Sequence, residues 1–245
     1  MKIAIVGYGK MGHEVEAMAK ARGHEVVSVI DVDNQADFES ESFRSADVAI
    51  GFSSPDCAWE NVKRCWAAGL PVICGTTGWQ NELIWDEIEA ACRQGATLLW
   101  APNFSIGMNV TKAVSGLLAR LLSPYEEYQA SVHEVHHVHK KDHPSGSAIQ
   151  LANGIVEECD RYDAWIEETG RRVPSNAIPV SYERLGEHAG LHEVTWNSDE
   201  DSITLRHEAK NRKGFAHGAV VAAEWLAKAP KGHIYNMMDV LKTMI

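Results

Sequence analysis

A run of histidines and lysines is the part of this sequence whose residue types could do chemistry. Five of the twelve histidines fall between His133 and His143, together with Lys140 and Lys141, in a chain of formal net charge −11. Clustered cationic groups repel one another unless an anion binds among them. A histidine near its ordinary pKa of about 6.5 can also donate a proton at neutral pH. The run therefore indicates a site that binds a small polycarboxylate and protonates it.

A predicted strand would give these histidines their directions. Polar and apolar residues alternate from Tyr128 to His139, which favours a strand with side chains pointing to opposite faces in turn. One face would carry His133, His137 and His139, and the other would carry Glu134 and His136.

A predicted helix follows the run, from Pro144-Ser145 to about Cys159. Proline and serine are both favoured where a helix begins. The backbone N–H groups of Gly146 and Ser147 would then form a cradle for a carboxylate, since first-turn N–H groups lack intrahelical acceptors. A carboxylate held there would lie within reach of Lys140 and His137.

Two other interpretations of the run remain open. His137 and His139 on one strand face have a metal-like spacing, with Glu134 or His143 as further ligands, as in a metal-dependent hydrolase or lyase. The neighbouring lysines would repel a divalent ion, so no metal ligands are assigned. The second alternative is a solvated polar strand followed by an ordinary helix cap. For the protein as a whole, a non-catalytic regulator that senses NAD(H) is a further alternative.

A glycine loop near the start of the chain predicts dinucleotide binding. Gly7-Tyr8-Gly9-Lys10-Met11-Gly12 lies between a predicted strand and a predicted helix, and Asp31 ends the next strand. In such a loop the glycines allow a tight turn, close approach of a pyrophosphate and close packing of helix on strand. The acid would accept hydrogen bonds from the ribose hydroxyls.

The residues after this acid bear on the choice of cofactor. Asp31-Val32-Asp33-Asn34 contains two carboxylates and no arginine or lysine, so it would repel the 2′-phosphate of NADPH. We therefore expect NADH to be preferred over NADPH.

The order of predicted elements gives the fold class: an α/β, Rossmann-type parallel-sheet domain plus an α+β substrate domain with a mixed sheet. Residues 1–105 would form the dinucleotide-binding domain, residues 106–212 would bind substrate and form oligomers, and helices within 213–245 would return to the first domain. The predicted strands are Lys2–Val6, Glu25–Ile30, Val48–Phe52, Val72–Cys74, Thr97–Trp100, Ile178–Arg184, Leu191–Trp196 and Ser202–Ala209. The predicted helices are His13–Ala21, Cys57–Ala68, Glu82–Cys92, Ile106–Leu122, Gly214–Ala229 and Ile234–Met244.

Composition narrows the class of partners and the compartment. The acidic balance disfavours nucleic acid, and no apolar run approaches the roughly 18–20 residues that a membrane span needs. Five scattered cysteines are typical of reduced thiols, so we expect a cytoplasmic protein. The apolar flank of Cys74 favours a buried thiol over a nucleophile.

The segment Glu134-x-His136-His137-x-x-Lys140-x-Asp142-x-Pro144-Ser145-Gly146 resembles the signature of the 4-hydroxy-tetrahydrodipicolinate reductase (dihydrodipicolinate reductase) family of lysine and diaminopimelate biosynthesis. Further matches cover essentially the whole chain in the family's order. They are Cys74-Gly75-Thr76-Thr77-Gly78, Ala101-Pro102-Asn103-Phe104-Ser105, Gly186-Glu187-His188 and Phe215-Ala216-x-Gly218-Ala219.

The resemblance implies a role for each matching residue. His136 would be the proton donor and acceptor, and Lys140 the second catalytic proton donor. The implied substrate-binding residues are His137, Ser145, Gly146, Ser147 and Thr77. The implied cofactor-binding residues are Gly7, Tyr8, Gly9, Lys10, Met11, Gly12, Asp31, Gly75, Thr76, Thr77, Ala101, Pro102, Asn103 and Phe104. Arg184, His188 and Arg212 are left outside the site.

The resemblance also implies a reaction and an assembly. The hydroxylated ring of a small dicarboxylate would lose water, accept hydride from NADH or NADPH at ring carbon four, and be completed by a proton. Family members form homotetramers, and we expect one here because an open sheet face needs cover.

Overall fold

The computed structural model describes residues 1–170 and 172–242 of the chain. These residues form two compact units, which we call unit 1 (residues 1–106 and those from 212 onward) and unit 2 (residues 107–211). Each unit contains one sheet with helices packed against it. The predicted fold class, a Rossmann-type parallel sheet plus a mixed sheet, is confirmed.

Unit 1 is built on a six-stranded parallel sheet. Its strands are β1 (Lys2–Val6), β2 (Glu25–Ile30), β3 (Val48–Gly51), β4 (Val72–Cys74), β5 (Leu98–Trp100) and β11 (Ile234–Tyr235). The spatial order is β11-β5-β4-β3-β1-β2. From β1 the chain adds β2 on one side of the sheet. From β3 onward it adds strands on the other side of β1, so the direction reverses between β2 and β3. In sheets of this kind, ligands bind outside the carboxyl ends of the strands at that reversal.

Helices cover both faces of this sheet because its strands are apolar on both faces. They are α1 (Lys10–Ala21), α2 (Glu41–Arg44), α3 (Pro55–Ala67), α4 (Glu82–Arg93), α7 (Lys213–Leu226) and α8 (Met237–Lys242), with a 3₁₀ segment at Val32–Glu39. One face packs against α1 and α7 through small residues such as Ala19, Ala219 and Ala223. The opposite face packs against α3 and α4 through Val62 and Ile88.

Unit 2 combines two helices with a five-stranded mixed sheet of order β10-β9-β6-β8-β7. The elements are α5 (Ile106–Leu122), β6 (Gln129–His136), α6 (Gly146–Glu158), β7 (Ala164–Glu167), β8 (Ala177–Arg184), β9 (Leu191–Asn197) and β10 (Ser202–Glu208). Strand β6 is parallel to β8 and antiparallel to β9, and β9–β10 is the predicted hairpin. The helices pack on one face of the sheet around Val132, Val194 and Trp196.

One predicted strand ends in the wrong place. The strand predicted to reach His139 stops at His136, because the backbone N–H groups of His137 and Val138 donate instead to the carbonyls of His188 and Gly186, at 2.9 and 3.1 Å. His137 and His139 therefore do not share a strand face with His133.

The last predicted helix, Ile234–Met244, was also wrong at its start. Ile234 and Tyr235 pair with β5 as a short strand, and α8 begins only at Met237, after Asn236 accepts a hydrogen bond from the N–H of Met238 at 2.8 Å. Met244 lies outside the described residues. None of the described helices is long and apolar enough to cross a membrane.

Candidate active site

The glycine loop of unit 1 is tight because its backbone atoms approach one another. Gly7 has φ +93°, and a Cβ there would lie 2.4 Å from the carbonyl oxygen of Phe52 at the end of β3. A Cβ on Gly12 would lie 2.4 Å from the carbonyl oxygen of Gly7. A Cβ on Gly9, the N-cap of α1, would meet open space. The two outer glycines therefore close the turn, and the middle one leaves the helix start accessible to an anion.

The loop after β4 lies against the same carboxyl edge. A Cβ on Gly75 would lie 2.1 Å from the ring of Phe52, so only glycine fits there. The Thr76 hydroxyl donates to the carbonyl of Ser53 at 3.1 Å, which ties this loop to the end of β3. Thr77 is exposed beside it.

The remaining predicted cofactor residues follow β2 and β5. Asp31 is exposed and caps the 3₁₀ segment, where its backbone N–H donates to Asn34 at 2.7 Å. Ala101 follows β5 directly, and its N–H donates to the carbonyl of Cys74 at 3.2 Å. The ring of Phe104 is buried against Phe52, so only its backbone is placed to meet a ligand. Every predicted cofactor residue thus lies at the carboxyl edge of one sheet or directly after it.

Burial removes the thiols of this sheet from nucleophilic chemistry. The pKa of Cys74 is raised to about 11 and that of Cys65 to about 12, chiefly by desolvation. Neither thiol is a thiolate at neutral pH.

In unit 2, the buried Glu134 contacts the histidine that the family signature marks as catalytic. Glu134 is 0% exposed on β6, and its Oε2 lies 2.8 Å from Nδ1 of His136 at the end of the same strand. The other carboxylate oxygen, Oε1, accepts from the N–H of Ser145 at 2.8 Å and from Arg184 Nη2 at 3.1 Å.

These contacts determine the charge state of Glu134. Burial alone would raise the pKa of this carboxyl, but the contact with His136 and the hydrogen bonds from Ser145 outweigh it and lower the pKa to about 2. The group is therefore a carboxylate throughout the physiological range.

Lys140 lies in the loop after β6, with its ammonium bound to both carboxylate oxygens of Asp142 at 2.8 Å. Burial would raise the pKa of Asp142, but the hydrogen bond from Lys140 lowers it. Arg184 also contacts this loop, because its guanidinium donates to the carbonyl of Asp142 at 2.6 Å. Lys140 thus faces a carboxylate that a bound anion would have to replace.

Ser145 caps α6, as predicted. Its hydroxyl accepts from the N–H of Ala148 at 3.3 Å, and Gly146 and Ser147 form the first turn. The hydroxyl also lies 3.1 Å from Nε2 of His192 on β9. His137 lies just past the end of β6, half-buried.

Two residues of this group were not predicted from the sequence: His192 was not considered, and Arg184 was left outside the site. Glu134 was part of the family signature but was given no role except as a possible metal ligand. The β6–β9 register pairs Glu134 with His192, and the β6–β8 register pairs His136 with Arg184. These pairings depend on strand register, for which the sequence around His192 carries no clear signal.

Glu134, His136 and His192 also have the spacing of a metal site, since one ligand atom from each lies within 4.8 Å of the others. The guanidinium of Arg184 already contacts Glu134, and a cation there opposes binding of a second cation. His137 and His139, the pair considered from sequence, do not join this group, and His139 contacts Glu187 instead.

Comparison with known proteins assigns the family. The family model described as dihydrodipicolinate reductase, N-terminus, matches residues 1–104, and the C-terminus model matches residues 107–241. The chain belongs to the dihydrodipicolinate reductase family. The resemblance drawn from the His136–Gly146 signature is thus confirmed, and with it the class of NAD(P)H-dependent oxidoreductase.

Individual relatives are similar in sequence to this chain over almost their full lengths. The 4-hydroxy-tetrahydrodipicolinate reductase of Christiangramia forsetii is 38% identical over 245 residues, covering 100% of this chain and 99% of the relative. That of Lawsonia intracellularis is 30% identical, covering 98% and 99%. A dipicolinate-bound dihydrodipicolinate reductase from Paenisporosarcina sp. TG-14 has the same fold, with a TM-score of 0.76 at 21% identity over 96% of this chain and 97% of that one.

The burial of His192 predicts how the stability of the folded protein depends on pH. Burial, and then the neighbouring His136, lower the pKa of His192 to about 3, so the folded protein keeps this ring neutral. Once unfolded, the ring takes up a proton below its ordinary pKa of about 6.5, and the unfolded state then binds more protons than the folded one. Stability therefore falls as the pH falls below about 6.5, by up to about 1.4 kcal/mol per pH unit from this group.

We expect His192→Gln to lose less stability than the wild type between about pH 6.5 and pH 5. Urea unfolding at several pH values measures this. His139→Gln, which changes an exposed ring, should follow the wild-type curve. Parallel curves for wild type and His192→Gln would contradict the buried neutral histidine.

Proposed function

We propose that this chain reduces 4-hydroxy-tetrahydrodipicolinate to tetrahydrodipicolinate with NAD(P)H in lysine and diaminopimelate biosynthesis. One observation carries the proposal: 38% identity over 245 residues with a reductase of that name, covering 100% of this chain and 99% of the relative. The groups required by the chemistry are present in each unit. We propose that unit 1 binds the cofactor and that unit 2 binds the substrate.

The substrate is a dianion, and the side chains of unit 2 suit it. The first turn of α6 offers N–H donors and the positive end of a helix dipole, which favour one carboxylate at Gly146 and Ser147. We propose that Lys140 and His137 act on the same dianion, with a substrate carboxylate replacing Asp142 at the ammonium of Lys140.

The cofactor, when bound, supplies a hydride to ring carbon four of the dehydrated substrate. The glycine loop, Asp31, Gly75-Thr76-Thr77 and the segment from Ala101 to Phe104 would hold it. We propose that His136 and Lys140 donate and accept the protons that accompany loss of water and addition of hydride. We propose that Nε2 is the atom of His136 that exchanges its proton, because Nδ1 lies 2.8 Å from a carboxylate oxygen of Glu134.

Matched pairs of variants test these roles. His136→Ala and Lys140→Ala should each lower kcat by about 10²–10⁴-fold, the usual loss on removing a positioned proton donor. The Kd for NADH should stay close to wild type. The controls remove the same side chains from exposed neighbours, His139→Ala and Lys141→Ala, and should stay within a few-fold of wild type. Near-normal turnover in both site variants would overturn the assignment.

We propose that NADH is preferred over NADPH. Asp31 is followed by Val32, which is 77% exposed, and by a second carboxylate on Asp33. The nearby guanidinium of Arg64 is engaged by Gln35 at 2.9 Å and by the ring of Phe38 at 4.0 Å. A 2′-phosphate there would meet negative charge without an available cation.

Adding one positive charge should shift the preference toward NADPH. We expect a higher kcat/KM with NADH than with NADPH in the wild type, and Val32→Arg should raise kcat/KM for NADPH about tenfold, since one charged hydrogen bond contributes roughly 1.5 kcal/mol. Gln94→Arg adds the same charge at the end of α4 and should leave kcat/KM unchanged with NADH and with NADPH. A wild-type preference for NADPH would contradict the proposal.

We propose that unit 2 assembles into a homotetramer. One face of its sheet packs against helices, whereas the other carries polar side chains that pair with one another, such as His133 with Ser181 at 2.9 Å and Arg206 with Glu193 at 2.8 Å. Such a face is covered most simply by other copies. Light scattering should give four times the 27.0 kDa chain mass, and a 27.0 kDa particle would contradict this.

We propose a cytoplasmic location. All five cysteines are free, and four of them are buried. Reduced thiols suit a reducing compartment. Cell fractionation should recover the activity with cytosolic markers, and recovery from a secreted fraction would contradict it.

A further inference from the structure

Glu134 is an unusual residue for the centre of a sheet. It lies on β6 between β8 and β9, on the face covered by helices, and its side chain has no exposed surface. Desolvating a carboxylate costs several kcal/mol unless hydrogen bonds and opposite charges compensate. Among the described residues, the compensating groups all belong to the proposed substrate site or hold it in place.

One oxygen of Glu134 fixes the proton donor. Oε2 lies 2.8 Å from Nδ1 of His136 in a close ion-pair contact, which leaves Nε2 on the side of the ring away from the carboxylate. Space for Nε2 comes from Gly190, where a Cβ would lie only 2.9 Å from that nitrogen. The proton-exchanging atom therefore has one orientation.

The other oxygen of Glu134 joins two further parts of the site. Oε1 accepts from the N–H of Ser145, which fixes the start of α6. It also accepts from Arg184, whose same Nη2 donates to the carbonyl of Asp142 in the Lys140 loop. His192 supports the helix start through the Ser145 hydroxyl.

We propose that Glu134 is a positioning residue for the reductase reaction: its buried carboxylate orients His136 and holds the helix start and the Lys140 loop in register. The inference rests on the proposed function, because it assigns Glu134 a part in that turnover.

Glu134→Gln tests the charge with little change in shape. We expect kcat to fall about 10- to 100-fold or more, the range seen when a group orienting a histidine is removed. The Kd for NADH should not change. The KM for the substrate should change much less than kcat, because the amide oxygen can still accept from the N–H of Ser145 and from Arg184.

Two further variants separate positioning from stability. Glu134→Asp keeps the charge but shortens the side chain and so moves it away from its partners, and kcat should fall while KM rises. Glu158→Gln is the matched control, because it breaks an exposed Glu–Arg pair, with Arg120 at 2.7 Å, in the same unit. It should leave kcat and KM unchanged. Thermal unfolding of each variant shows that it is folded.

The outcomes distinguish the two proposals. A wild type without reductase activity would refute the proposed function. An active wild type, with Glu134→Gln within threefold of its kcat or with KM raised as strongly as kcat is lowered, would refute the positioning role. If Glu134→Gln does not fold, Glu134→Asp decides: kcat and KM close to those of the wild type would also refute it.

Discussion

The carboxylate of Glu134 lies inside a sheet where water does not reach it, and the arrangement of unit 2 follows from balancing its charge. The groups that contact it come from the end of its own strand, from the neighbouring strand β8 and from the start of α6. A buried ion pair contributes little net stability but is costly to break, by about 3–5 kcal/mol when one partner is removed. These elements therefore keep one mutual register, which is also the register that the proposed proton donor and anion cradle would require.

In unit 1, the close approach of the loops depends on the backbone alone. At its carboxyl edge, Gly7, Gly12 and Gly75 sit where a side chain would overlap the backbone or ring of a neighbouring strand end. The loops can therefore lie close together, and donors of the helix start remain accessible. No charge needs to be buried for this, which explains why a short local motif suffices to predict it.

Features that depend on local sequence could be predicted, whereas those that depend on strand register could not. The glycine loop, the Ser145 cap and the β9–β10 hairpin depend on neighbours within a few residues, and each is where the sequence placed it. The partnership of Glu134 with Arg184 and His192 depends on strand register across roughly fifty residues, which composition and periodicity do not encode. The end of β6 was likewise missed because the loop at Gly186–His188 takes over the pairing.

The residues that each unit presents agree with the reaction that family membership indicates. One unit presents glycines and an acid suited to a dinucleotide, and the other presents a fixed histidine, a lysine and a helix start suited to a dicarboxylate. The most direct measurement is a coupled assay in which the upstream synthase condenses aspartate semialdehyde with pyruvate and this protein is added with NADH or NADPH. We predict rapid loss of nicotinamide absorbance that requires the condensed product and survives a metal chelator. Folded protein that binds NADH but oxidises neither cofactor with this product would contradict the account.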